Sequence, residues 1–124
     1  MNQVRVLIVE DNRAHMQLAV YVLKRSGYSV LQAATAEEGI AIARREGPDL
    51  ILMDIGLAGM DGLTAIRELR SDPQTSAVRI IIVTSYRDEP DRQVLLKSGA
   101  DGVIAKPFHY DHVLGIMKAA LERA

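Results

Sequence analysis

The stretch VRVLIVEDN, residues 4–12, predicts the fold and contains an unusual pair of charges. Apart from Arg5, its first six residues are aliphatic and mostly β-branched, which is typical of a strand buried on both faces of a parallel sheet. Two adjacent carboxylates, Glu10 and Asp11, follow where the strand leaves the core. Adjacent acids repel each other and are costly to desolvate. We therefore expect a positive group beside this pair, or exposure of the pair to water.

The composition limits the classes of function that the chain can have. Of its 124 residues, 48% are hydrophobic and 25% are charged, as expected for one globular domain with its own core. The net charge of −1 provides no basic field, which argues against direct binding to nucleic acid or to an anionic membrane. The absence of cysteine excludes disulfides and thiolate metal sites. With no pattern of a signal peptide or membrane span, we expect a cytoplasmic protein.

Strand-like and helix-like patterns alternate five times along the chain. Apolar residues at helical spacing lie between the predicted strands, Thr35 with Glu38 forms a capping box, and Gly27, Gly47 and Gly99 mark helix ends. This alternation predicts an α/β fold with a doubly wound, five-stranded parallel sheet and helices on both faces. The second strand is the most polar and is expected at an edge. The predicted strands are 4–9, 28–34, 50–53, 79–83 and 102–105.

Polar residues stand at the ends of four of these five strands. In an open parallel sheet, ligands bind beyond the carboxyl ends of the strands. Each polar residue alone has an ordinary interpretation as a helix cap, a turn residue, a strand end or a solvated lysine. Their occurrence together at one edge of the sheet favours a functional site. The residues are Glu10, Asp11, Asp54, Thr84 and Lys106.

This set of side chains points to one kind of chemistry. Three carboxylates and one lysine leave an excess of negative charge, which favours a hard divalent cation with oxygen ligands, and Mg²⁺ above others. A carboxylate nucleophile, a hydroxyl donor and a lysine beside such an ion suit phosphoryl transfer to an aspartate. On this interpretation, Glu10 and Asp11 are adjacent because a cation lies between them and Asp54.

Four motifs occur in order along the chain: LIVEDN (7–12), PDLILMDIGLAGMDG (48–62), IIIVTS (80–85) and GADGVIAKPF (99–108). Through these motifs the chain resembles the receiver domain of two-component response regulators along essentially its whole length. The resemblance implies one receiver domain over residues 1–124, with a flavodoxin-like (βα)5 three-layer sandwich and strand order 2-1-3-4-5. We expect a stand-alone regulator similar to the single-domain chemotaxis regulators.

The resemblance also assigns roles to the acidic residues. Asp54 is implied to be the phosphoacceptor, phosphorylated in a Mg²⁺-dependent reaction by a sensor histidine kinase or a histidine phosphotransferase. Asp11 would ligate the metal directly and Glu10 through a water molecule. Asp54 and the backbone carbonyl of Gly56 would complete the protein ligands.

Further implications concern the phosphoryl group and the signal. Thr84 and Lys106 would contact the phosphoryl group, and the Lys106–Pro107 bond would be cis. The protein would catalyse its own phosphorylation and dephosphorylation without turnover of an external substrate. A downstream protein would bind the face formed by the fourth helix, fifth strand and fifth helix. Because Val103 stands where many relatives carry a moving aromatic residue, we expect the segment after the fourth strand to carry the signal, with Tyr110 as a substitute reporter.

Two other classes of function fit parts of the sequence. A magnesium-dependent phosphatase or nuclease-type hydrolase of similar topology would carry a second acid two residues after the first, where Gly56 stands. A degenerate receiver that binds partners without phosphorylation would lack one of the acids, the threonine or the lysine, and all are present.

The remaining charged residues are expected on the surface. His15, His109 and His112 lack a third ligand at a spacing that would favour a metal site. Residues 67–70, with the sequence RELR, are expected to form a solvated helix face.

Overall fold

The computed structural model describes residues 3–55, 62–84 and 89–123. Within these ranges, five strands and five helices alternate along the chain. The strands are β1 Arg5–Val9, β2 Ser29–Ala33, β3 Leu50–Asp54, β4 Arg79–Thr84 and β5 Gly102–Ala105. The helices are α1 Arg13–Arg25, α2 Ala36–Glu46, α3 Gly62–Ser71, α4 Glu89–Lys97 and α5 Tyr110–Glu122.

The strands form one parallel sheet in the order β2-β1-β3-β4-β5, as predicted. The polar strand β2 lies at an edge. The predicted bounds differ at the ends by one residue, so that Asp54 and Thr84 are the last residues of their strands and not the first residues beyond them. We call the side of the sheet where the strands end the carboxyl edge, and the opposite side, where Arg5, Ser29, Leu50, Arg79 and Gly102 begin the strands, the amino edge.

Side chains that alternate along each strand build two separate cores. Helices α2, α3 and α4 cover one face of the sheet, and α1 and α5 cover the other. Burying an aliphatic side chain stabilises the fold by about 1.5–3 kcal/mol, so these two cores hold the strand ends in place. On the first face the strands contribute Leu7, Val9, Ile51, Met53, Ile80, Ile82 and Val103. On the second they contribute Val6, Ile8, Leu50, Leu52, Ile81 and Ile104.

Local hydrogen bonds fix where the helices begin and end. The Asn12 carbonyl oxygen Oδ1 caps α1 by accepting from the backbone N–H three residues later, at 2.9 Å. Thr35 caps α2 by accepting from the N–H of Glu38 at 3.1 Å, as predicted. The Glu38 carboxylate accepts from the N–H of Ala34, one residue before the position expected for a capping box. Gly47 ends α2 with φ 60°, a left-handed conformation that glycine adopts without strain.

Arg70 contradicts the prediction that residues 67–70 form a solvated face. Its neighbours Arg67 and Glu68 are exposed, but only 24% of the Arg70 side chain is. The last turn of α3 faces the starts of β4 and β5, where backbone carbonyls need donors. The guanidinium group donates to the carbonyl oxygens of Ser76, Val78 and Gly99 and to the carboxylate of Asp101.

The helices also bear on the question of membrane insertion. Among the residues described, none of the helices combines the length and the apolar composition that a bilayer span requires.

Candidate functional site

Three carboxylates meet at the carboxyl edge of the sheet, as predicted. Glu10 and Asp11 follow β1, and Asp54 ends β3, its neighbour in the sheet. Because β1 and β3 are parallel and in register, with Val9 opposite Met53, the next residues of both strands arrive at the same level. One carboxylate oxygen from each acid lies within 4.8 Å of the others. Asp11 is exposed, whereas Glu10 and Asp54 are partly buried.

Lys106 is the positive group that the adjacent acids require. Its Nζ lies 3.0 Å from Asp54 Oδ2 and 3.9 Å from Glu10 Oε1. The peptide bond to Pro107 is cis, which confirms that prediction. Both halves of the expectation for the acid pair are therefore met, since Glu10 lies near a lysine and Asp11 faces solvent.

The pKa of Glu10 is raised mainly because its carboxyl group is partly buried. Burial, and to a smaller extent the neighbouring Asp54, raises its pKa from 4.5 to about 7. A hydrogen bond from the N–H of Asn12, at 3.0 Å, and the charge of Lys106 act in the opposite direction without cancelling the shift. Because Asp54 is among the causes that raise the pKa, the carboxylates repel each other despite Lys106, and a further cation would suit the site.

Thr84 lies beside this group at the end of β4. The residue is 1% exposed, and it is paired with Ala105 of β5. The backbone N–H of Lys106 donates to the Thr84 carbonyl oxygen at 2.7 Å. The fold thus brings together Glu10, Asp11, Asp54 and Lys106, and sets Thr84 on the strand next to them. Gly56, the remaining predicted ligand, lies outside the described residues.

Two further side chains approach the acids without a clear signal in the sequence. His15 is 57% exposed, consistent with its prediction as a surface residue, but its Nδ1 lies 3.8 Å from Glu10 Oε1. Tyr110 at the start of α5 has its pKa raised by burial and by the negative charge of Glu10. His15 lies in the first turn of α1, and Tyr110 is the first residue of α5. Because both helices start at the carboxyl edge, these positions could have indicated that the two side chains lie near the acids. His109 and His112 are exposed, as predicted.

The match to a known family accounts for this arrangement. A family model described as the response regulator receiver domain matches residues 6–118. The chain is a response regulator receiver domain. The receiver acts in two-component signalling, which confirms the predicted function. A hydrolase and a degenerate, unphosphorylated receiver are not favoured, and no enzyme family is indicated.

Relatives of the receiver cover it almost completely. Protein PilH of Pseudomonas aeruginosa is 38% identical over 117 residues, which cover 94% of this chain and 97% of PilH. The transcriptional regulatory protein KdpE of Escherichia coli is 37% identical over 95% of this chain. The alignment spans only 51% of KdpE, so the receiver corresponds to about half of that protein.

A solved structure shows the same architecture with a metal. The receiver domain of the sensor histidine kinase PA1611 from Pseudomonas aeruginosa, which has a magnesium ion coordinated in its active-site cleft, superposes with a TM-score of 0.90. It is 30% identical and covers 98% of this chain and 100% of its own. The predicted flavodoxin-like fold is therefore confirmed.

Proposed function

We propose that the receiver accepts a phosphoryl group on Asp54 from a phosphohistidine of a sensor histidine kinase or histidine phosphotransferase, in a Mg²⁺-dependent reaction in the cytoplasm. The observation that carries this proposal is the 3.0 Å contact between Lys106 Nζ and Asp54 Oδ2 inside a cluster of three carboxylates. A lysine at this distance is placed to neutralise a phosphoryl group attached to the same aspartate.

The transfer step is a nucleophilic displacement at phosphorus. A carboxylate oxygen of Asp54 forms the new P–O bond while the P–N bond of the donor breaks, and the electron pair of that bond stays on the imidazole nitrogen. The Lys106 ammonium group and the Thr84 hydroxyl contact the phosphoryl oxygens and reduce their charge. Lys106 therefore exchanges its present carboxylate partner for a phosphoryl oxygen.

The acidic residues suit Mg²⁺ as the cofactor. They offer oxygen donors only, they converge within 4.8 Å, and Asp11 opens the cluster to solvent. Asp11 and Asp54 would hold the ion directly, Glu10 through a water molecule, and the Gly56 carbonyl would add a ligand. The bound ion supplies positive charge that offsets the repulsion between the carboxylate and the incoming phosphoryl group.

The receiver passes the signal on by protein binding. Its downstream partner binds the face formed by α4, β5 and α5, where Val94 of α4 is 56% exposed. Val103 of β5 is only 4% exposed and belongs to the core beneath α4, so it is not placed to act as a mobile reporter on this face. The protein catalyses its own phosphorylation and dephosphorylation and turns over no external substrate.

Intact-protein mass spectrometry with acetyl phosphate as donor tests the proposal. We expect one phosphoryl group to be incorporated in the presence of Mg²⁺ and none after chelation by EDTA. Restoring Mg²⁺ should restore labelling. Labelling that persists in EDTA would contradict the metal requirement, and absence of labelling with Mg²⁺ from both acetyl phosphate and a phosphorylated histidine phosphotransferase would contradict the phosphoacceptor role.

A further inference from the structure

Helix α5 is attached firmly to the sheet at its carboxyl-terminal end. Arg79, the first residue of β4, donates from Nε to the carbonyl oxygen of Ala120 at 3.0 Å and from Nη2 to that of Arg123 at 2.7 Å. The last carbonyls of a helix have no partner within the helix, and a guanidinium group there is also favoured by the helix dipole. This end of α5 is consequently difficult to displace.

The middle of α5 is equally close to the sheet. A Cβ atom built on Gly102 of β5 would lie 3.1 Å from Ile81 Cδ1 and 3.2 Å from Ile116 Cγ2. These distances are shorter than ordinary van der Waals contacts, so a side chain at residue 102 would require Ile116 of α5 or Ile81 of β4 to shift by a few tenths of an ångström. Ile116 and Gly102 thus fix α5 against the amino half of β5.

The amino-terminal end of α5 borders empty space instead. A cavity of about 540 Å³ separates it from α1. One end of the cavity reaches the carboxylates of Glu10 and Asp54 and the ammonium group of Lys106. The rest is lined mainly by apolar side chains. The sheet contributes Ile8, Leu52 and Val83, α1 contributes Leu18 and Ala19, and α5 contributes Val113.

The phosphorylation site is linked to this end of α5 by a short segment. Only residues 107–109 separate Lys106 from Tyr110, the first residue of the helix. Phe108 and Tyr110 pack edge to face, with ring centroids 5.3 Å apart and an interplanar angle of 85°, and both line the cavity. A displacement of Lys106 therefore reaches the start of α5 through a compact aromatic pair.

We propose that α5 works as a lever that is fixed by Arg79 and Gly102 and whose amino-terminal half moves into the cavity when Asp54 is phosphorylated. The proposal rests on the proposed function of Asp54. In the present state, the ion pair between Lys106 and Asp54 holds residues 106–110 away from α1. Transfer of Lys106 to a phosphoryl oxygen releases that restraint.

Two physical effects drive the closure. Leu18 of α1 is 53% exposed at the cavity, and Phe108 and Tyr110 are half-buried, so inward movement of α5 buries apolar surface once the restraint is released. The phosphoryl group can shift the equilibrium because it contacts Lys106 in one state and not in the other. The surroundings of Tyr110 then change when Asp54 is phosphorylated. Tyr110 packs on the face of the sheet covered by α1 and α5, whereas Val103 belongs to the core on the other face.

Filling the cavity tests the lever. Ala19→Leu places a larger apolar side chain in the space that α5 is to occupy, and Ala19→Ser is a control of nearly unchanged size. The proteins are labelled with 3-fluorotyrosine, the Tyr110 resonance is assigned with Tyr110→Phe, and spectra are recorded before and after addition of Mg²⁺ and beryllofluoride. We expect the change in the Tyr110 chemical shift to be at least twofold smaller in Ala19→Leu than in the wild type and Ala19→Ser.

The comparison between variants separates movement from electrostatics, because the charge added at Asp54 is the same in all three proteins. Acetyl phosphate labelling is measured in parallel. If the wild type is labelled but the Tyr110 shift change is equal in Ala19→Leu and Ala19→Ser, the lever is wrong. If the wild type is not labelled, the proposed function fails instead. Ala19→Val, which fills less of the cavity, carries the same test if thermal unfolding shows that Ala19→Leu does not fold.

Discussion

At the amino edge of the sheet, acids lie against arginines, whereas at the carboxyl edge three carboxylates gather around one lysine. Arg5 Nη2 contacts Glu46 Oε1 at 2.9 Å, and Arg70 Nη2 contacts Asp101 Oδ2 at 3.0 Å. Asp101 also accepts from the N–H of Ile80 at 2.8 Å. The amino edge thus pairs its charges within the fold, and the carboxyl edge leaves negative charge to be neutralised from outside.

Two glutamates show the difference most clearly. Hydrogen bonds from Arg45 and Arg5 hold the pKa of Glu46 below its usual value. Burial, with a further contribution from Asp54, raises the pKa of Glu10 to about 7. The same side chain is therefore stabilised as a carboxylate at one edge and destabilised at the other. A carboxylate whose charged form is destabilised is typical of functional sites, where residues that the chemistry requires lower the local stability of the fold.

The two ends of β3 offer the sharpest test of this contrast. Asp49 immediately precedes the strand and accepts from the N–H of Arg5 at 2.9 Å, whereas Asp54 ends it. We expect Asp54→Asn to abolish phosphoryl incorporation from acetyl phosphate, because the amide is not a competent nucleophile. Asp49→Asn, the matched control, should be labelled as the wild type is. Intact-protein mass spectrometry that found undiminished labelling of Asp54→Asn would remove Asp54 from its proposed role.

A large loss of stability is expected at the amino edge. Arg70→Met keeps the aliphatic stem but removes every donor, which leaves three carbonyls and the carboxylate of Asp101 without this partner. We expect the free energy of unfolding to fall by about 3 kcal/mol. Urea denaturation followed by circular dichroism measures the change, and the exposed neighbour Arg67→Met serves as the control. Equal effects of the two substitutions would mean that the Arg70 contacts contribute nothing specific.

The raised pKa of Glu10 predicts a pH-dependent affinity for Mg²⁺. Below pH 7, Glu10 is protonated in the metal-free protein, and a proton must leave before its carboxylate can assist the ion. Affinity should rise with pH, and the value at pH 6 should be up to about tenfold below the limit at high pH. Isothermal titration calorimetry from pH 6 to pH 8 measures this dependence.

Glu10→Gln is the control for this dependence of Mg²⁺ affinity on pH, because it removes the titrating group while keeping a similar volume.

The raised pKa of Glu10 also makes the stability of the metal-free protein depend on pH. Since the folded-state pKa lies above 4.5, the wild type should lose stability as pH rises from 4.5 to 7, whereas Glu10→Gln should lose less. If Mg²⁺ affinity and metal-free stability depend on pH in Glu10→Gln as they do in the wild type, another group is responsible for the pH dependence.

The smallest effect is expected for an ion pair that is close but exposed. Arg44 Nε lies 2.6 Å from Asp72 Oδ2, yet the Arg44 side chain is 46% exposed. Exposed pairs contribute little because water screens the charges and ordering the side chains has an entropic cost. Arg44→Gln should leave the urea midpoint unchanged within error. A destabilisation comparable to that of Arg70→Met would show that distance, and not burial, decides which arginines matter.

The sequence predicts the carboxyl edge better than the amino edge for a physical reason. Glu10, Asp54 and Lys106 end or follow apolar strands, and a parallel sheet brings the ends of its strands to one edge, so the periodicity predicts that these residues lie at the same edge. Arg70 follows an equally regular helical pattern, but its partners are mostly backbone carbonyls. Carbonyl groups are present at every residue and leave no signal in the amino-acid sequence.

The cavity was unpredictable for a related reason. Apolar spacing places Ala19 and Val113 on the inner faces of α1 and α5, and both are buried there. It does not give the distance between those helices at the carboxyl edge, which depends on how the volumes of many side chains add up. The start of α5 at the carboxyl edge indicates that Tyr110 lies near the acids, but how closely it approaches Glu10 depends on that distance.

The carbonyl partners of Arg70 also determine which amino-acid substitutions the fold can accept during evolution. A carbonyl acceptor persists whatever side chain its residue carries, so Ser76 can be replaced without removing its contact with Arg70. The contact with residue 76 therefore depends on Arg70 alone and not on the side chain at residue 76. Substitutions at the exposed Ser76 can therefore change the surface between α3 and β4 while this backbone partner of Arg70 stays the same.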